Sequence, residues 1–96
     1  MTQVACFVSI FLHAEDGEKG LKTVQKGAEV VLQKHGGSVG SVAAGKGGRR
    51  VTIHTSVDAK KGETPQQTID RVCAEITKAT GRSTAGRPEG WNARNG

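Results

Sequence analysis

Ninety-six residues with a formal net charge of +5, 34% apolar and only 3% aromatic content, describe one small domain with a thin core. No run approaches the roughly 20 apolar residues that span a bilayer, so no membrane association is expected. Cys6 and Cys73 lie far apart and suggest no disulfide framework, which fits a reducing, cytoplasmic location.

The chain opens on "VACFVSIFLH" (Val4–His13), β-rich and apolar on both faces. Val4, Cys6, Val8, Ile10 and Leu12 alternate with Ala5, Phe7, Ser9, Phe11 and His13, which predicts a strand covered at least partly on both sides. The run lacks the basic n-region and cleavage site of a signal peptide. "AEDGEKG" then supplies acidic residues suited to a helix start. From Glu18 to His35, Leu21, Val24, Ala28, Val31 and Leu32 recur at three- and four-residue intervals, and Gly36–Gly37 supply a stop. His35 falls at the helix C-terminus, where its charged form is favoured.

Two strands follow, about Ser38–Ala44 and Arg50–Val57, joined by "GKGGR". The second alternates Val51, Ile53, Thr55 and Val57 with Thr52, His54 and Ser56; the first has little to bury and suits a sheet edge. The stretch from Gly40, G-S-V-A-A-G-K-G, falls one residue short of a phosphate loop. Gly47 stands where the magnesium-binding Ser or Thr belongs, and the residues that follow read as a strand instead of a helix, so nucleotide hydrolysis is not expected. What remains is a glycine-rich, basic hairpin tip.

"TPQQ" then places Thr64 as N-cap, Pro65 at the first helical position and Gln67 to complete a capping box. Ile69, Val72, Cys73 and Ile76 form the buried stripe of a second helix, which Gly81 ends. Residues 1–81 are thus read as a single α+β domain. Residues 82–96 are read as a basic, Gly-rich C-terminal tail, and the pattern leaves open whether a short strand forms near Ser83. The order β-α-β-β-α, with this doubtful last strand, points to a small ferredoxin-like sandwich: an antiparallel sheet with two helices on one face. Without a last strand the first, most apolar strand lies at an edge, and pairing with a second copy is the physical remedy. A homodimer is therefore expected.

The charge is concentrated. Lys46, Arg49, Arg50, Lys60 and Lys61 face only Asp58 within residues 46–61, and Arg82, Arg87 and Arg94 face only Glu89 within the tail. These eight cations are the candidate contacts for nucleic-acid phosphates or an acidic protein surface. If one face of the first strand packs on the helices, Phe7, Phe11 and His13 lie on the open face with His54 nearby, either to stack bases or to form a dimer interface. "GGRRVTIHTSV" lacks the paired aromatics of RNA-recognition modules. Trp91 is the tail's one aromatic and a candidate anchor.

No C-x-x-C or H-x-x-x-H spacing is present, no nucleophile–base–orienter set is visible, and neither metal, cofactor nor catalysis is expected. Two functions stand first. One is a non-enzymatic module that contacts nucleic-acid phosphates through the basic hairpin and tail. The other is a small inhibitor or regulator, of the kind phages and mobile elements encode, that docks on a protein or nucleoprotein complex.

Overall fold

The computed structural model describes residues 3–44 and 49–89. The elements run β1 (Gln3–Phe11), α1 (Gly17–Lys34), β2 (Ser38–Ala44), β3 (Arg50–Asp58), α2 (Pro65–Thr80) and β4 (Ser83–Pro88). In β1 and β3 every second residue is buried: Val4, Cys6, Val8 and Ile10 in one, Val51, Ile53, Thr55 and Val57 in the other. The two strands pair antiparallel with Phe7 opposite His54, which puts both apolar sets on the same face.

The helices bury matching stripes, Val24, Ala28, Val31 and Leu32 of α1 and Ile69, Val72, Cys73 and Ile76 of α2. Strand and helix residues join in one core. Burying each Val, Leu or Ile of these stripes stabilises by about 1.5–3 kcal/mol, and that burial is the main force holding both helices on the sheet. The capping box of α2 forms as its sequence dictates. Gln67 N–H donates to Thr64 Oγ1 at 3.2 Å, and Thr64 N–H donates to Gln67 Oε1 at 2.9 Å. Past α1 the chain turns at Gly36 with φ +74°; a Cβ there would lie 2.1 Å from Asp58 Oδ2. Only glycine fits both constraints.

The four strands form one antiparallel sheet in the order β2-β3-β1-β4. The chain is thus α+β, with an antiparallel sheet and two helices. Two sequence-based expectations change here. Residues 83–88, placed in the tail, form β4 and pair with β1, Phe7 opposite Arg87. The strand carries no large apolar residue, so its pattern gives no core signal; it lies close under α2 through Gly86. A Cβ at Gly86 would stand 2.4 Å from Ile69 Cγ2 and 2.9 Å from Cys73 Sγ. Because β4 occupies the far side of β1, β1 is interior, and the argument for a second copy pairing with β1 falls away.

Two ion pairs fasten the chain between elements. Arg82, beyond α2, donates from Nε to Asp16 Oδ2 at 2.8 Å and pairs through Nη2 with Asp16 Oδ1. Arg71 of α2 donates from Nε to Glu63 Oε2 at 2.9 Å and from Nη2 to Glu63 Oε1 at 3.1 Å. Glu63 also accepts from Lys60 N–H at 2.8 Å and Thr68 Oγ1 at 3.0 Å. Hydrogen bonding from Arg82 holds the Asp16 carboxyl at about 2, and hydrogen bonding from Arg71, then from the Lys60 amide, holds Glu63 at about 2.

Both folded-state values lie below the ordinary 3.8 and 4.5. The stability these carboxylates contribute is therefore fully present above about pH 4.5 and is lost as pH falls toward 2. Thermal unfolding followed across that window is expected to show a falling Tm. The fall becomes shallower in an Asp16→Asn/Glu63→Gln double variant, whose Tm at neutral pH is already lower.

Candidate functional site

The face of the sheet turned away from the helices is built in rows by the register of β3, β1 and β4. His54, Phe7 and Arg87 make one row, Thr52, Ser9 and Ala85 the next, and Arg50, Phe11 and Ser83 the third. Strand alternation that buries Val8, Ile10, Val51 and Ile53 on the other side forces these residues outward.

In the first row the Phe7 and His54 rings stack with centroids 4.7 Å apart and 21° between planes. From the β4 side the Arg87 guanidinium carbon lies 5.7 Å from the Phe7 centroid, within cation–π range. His54 Nε2 lies 2.8 Å from Glu89 Oε2. The second row is hydroxylic, with Ser9 Oγ and Thr52 Oγ1 3.1 Å apart. In the third row Phe11 remains 43% exposed beside the exposed Arg50.

The rows enclose a shallow groove of about 280 Å³, lined by Phe7, Phe11, Arg50, Arg87, Ser9 and Thr52 among others. Phe7 is flanked on both sides by its own neighbours, so Phe11 is the ring with a surface to offer. Arg50 supplies positive charge beside it and Arg87 supplies more two rows away over Phe7, the hydroxyls supply donors, and the Glu89 carboxylate is held at the far end by His54. Such a groove can take a flat ring on Phe11 and an anionic group on either guanidinium.

The structure brings together only part of the basic set read from the sequence. Arg49 and Arg50 are exposed at the start of β3, and the Arg49 carbonyl accepts from Leu12 N–H at 2.8 Å. Lys60 and Lys61 lie past the other end of β3, where with Val4, Ala59, Glu63 and Pro65 they line a separate pocket of about 440 Å³. Residues 51–59, roughly 30 Å of largely extended chain, separate the two pairs. Arg82 is engaged by Asp16. Lys46, Trp91 and Arg94 lie outside the described residues.

His13 also departs from expectation: β1 ends at Phe11, and His13 lies in the following turn, its N–H donating to Asp16 Oδ2 at 2.7 Å. It lies beyond the strand-paired rows of the open face. His35 ends α1 and pairs with Glu75 of α2. Cys6 and Cys73 are free and buried, and burial pushes both thiols up to about 11, so they remain protonated at neutral pH.

Sequence reasoning placed Thr52 beside His54 on this face but did not place Ser9 and Glu89 in the site, nor Arg87 against Phe7. The missing information was the register of β4, without which Arg87 and Glu89 have no position relative to β1. Among the described residues no group of three His, Cys, Asp or Glu is gathered to hold a metal ion, and no helix is long and apolar enough to cross a membrane. Neither a protein-family model nor a curated protein sequence matches this chain.

Proposed function

We propose that the protein is a non-enzymatic, cytoplasmic nucleic-acid-binding module that holds a single strand across the open face of its sheet. The observation that carries this reading is the groove lined by the exposed Phe11 ring together with Arg50 and Arg87. A base stacks on an aromatic face regardless of sequence, and guanidinium groups meet the flanking phosphates. Arg49, exposed beside Arg50, adds to the same positive edge, and Lys46 and Arg94, outside the described residues, complete the set of cations proposed to meet phosphates. The strand order β2-β3-β1-β4, with both helices on one side, supports reading the fold as a ferredoxin-like sandwich.

Fluorescence anisotropy of labelled single- and double-stranded DNA and RNA, titrated at low and then higher salt, tests the reading. Single strands are expected to bind more tightly than duplexes. With about three phosphate contacts, log K is expected to fall against log salt with a slope of about −2. Flat curves at low salt would overturn the reading and turn the search to an acidic protein partner by pull-down.

A further inference from the structure

We infer that β2 is a self-pairing edge, through which two copies of the chain join their sheets into one. The inference is independent of the nucleic-acid reading and rests on a difference between the two edges of the sheet. A free strand edge presents unpaired N–H and C=O groups, and chains that must stay apart guard it with charge, proline or a covering side chain.

The β4 edge is guarded in this way. It carries Arg87 and Pro88, and Gln66 of α2 reaches over to donate to the Gly86 carbonyl at 3.2 Å. Thr84 is tied to α2 as well, its Oγ1 donating to the Cys73 carbonyl at 2.8 Å.

The β2 edge differs on each count. Its sequence, Ser38–Ala44, has no charged residue and no proline. Among the described residues, β3 is its one strand neighbour. Val42, opposite the buried Ile53 and hence on the helix side, is 38% exposed. The register shift between Val39 and Ser41 interrupts the ladder at one end and leaves Ser41 to Ala44 as regular strand.

Charge favours the same edge. A chain of net charge +5 resists its own copy wherever cations face each other, and β2 places none of them at the seam. Antiparallel pairing of β2 with its counterpart sets a two-fold axis perpendicular to the sheet, with Val42 close to its own image. That symmetry leaves the open faces of both copies on the same side, as one eight-stranded platform.

Sedimentation velocity of the full chain across micromolar to millimolar concentrations tests the inference. The mass is expected to rise from 10.0 kDa toward twice that value with concentration. Val42→Lys places like charges at the seam and is expected to hold the protein at the monomer mass throughout, with circular dichroism unchanged. Val30→Lys, on the exposed side of α1 where Val30 is 62% exposed, is expected to leave association intact. A constant monomer mass for the unaltered chain overturns the inference, as does association that survives Val42→Lys in a folded protein. If Val42→Lys unfolds the chain, Ala43→Lys at the neighbouring exposed position replaces it under the same criterion.

Discussion

Reversing Arg50 and Arg87 together to glutamate is expected to weaken single-strand binding by more than about 100-fold, whereas reversing Lys60 and Lys61 together weakens it far less. Both variants change the net charge equally, so a binding mode driven by overall charge would treat them alike. The groove does not. Arg50 and Arg87 line the groove that holds Phe11 on the open face, while Lys60 and Lys61 lie past the opposite end of β3. A hydrogen bond to a charged partner contributes about 1.5–3 kcal/mol, so losing two, and adding repulsion, accounts for the larger loss. The salt slope should become shallower by about 1.4 for the Arg50/Arg87 pair, as expected when two phosphate contacts disappear. Anisotropy titrations of both variants at matched salt measure both quantities; equal losses in the two variants would remove the groove from the account. Phe11→Ala complements them. Loss of a stacking platform costs about 1–3 kcal/mol per base without altering the salt slope.

The largest effect on stability is expected at Gly86. The Cβ of an alanine there would stand 2.4 Å from Ile69 Cγ2. Ile69 is fully buried and β-branched, so its methyl is held to one strongly preferred rotamer. The second contact, Cys73 Sγ at 2.9 Å, lies on the same helix, so β4 or α2 must move as a body. Overpacking of this kind costs about 1–3 kcal/mol, a large share of the roughly 5–10 kcal/mol that stabilises a domain of this length. Urea unfolding of Gly86→Ala should show the midpoint lowered accordingly, and Gly86→Val should fail to fold cooperatively. A Gly86→Ala midpoint equal to that of the unaltered chain would mean that β4 does not lie against α2 as described. Because Arg87 and Glu89 are positioned by β4, Gly86→Ala should also weaken nucleic-acid binding although residue 86 carries no charge.

Those two sites mark the boundary of what the sequence conveys. Strand β1, β3 and both helices are legible because burial imposes a period: two in Val4–Ile10 and Val51–Val57, three to four in Val24–Leu32 and Ile69–Ile76. The ends of α2 are legible because Thr64, Pro65, Gln67 and Gly81 each answer a specific backbone demand. Strand β4 follows neither rule. Its place is fixed by the smallness of Gly86 beneath Ile69 and by pairing to β1, and closeness of approach leaves no apolar pattern. Leaving the strand near Ser83 open had a double consequence. It put β1 at an edge, and it left Arg87 and Glu89 in a tail, away from Phe7 and His54.

The open face was partly legible for the same reason. Alternation alone turns Phe7, Phe11 and His54 to one side, and β1 and β3 pair as expected for neighbours in such a sheet. Charge was less informative, because proximity in sequence gathers Arg49, Arg50, Lys60 and Lys61 into one basic stretch that the extended β3 then divides. Arg82 counts as a free cation in composition but is engaged by Asp16, a partner 66 residues away.

The measurement that tests the central claim most directly is amide chemical-shift mapping of the 15N-labelled protein titrated with a short, unlabelled single-stranded oligonucleotide. The account predicts that the largest perturbations fall on Phe7, Ser9, Phe11, Arg50, Thr52 and Arg87, the rows of the open face, with the amides of α1 and the outer side of α2 unmoved. Perturbations centred on Lys60, Lys61 and the helices, or none under conditions where binding is seen by anisotropy, would contradict it.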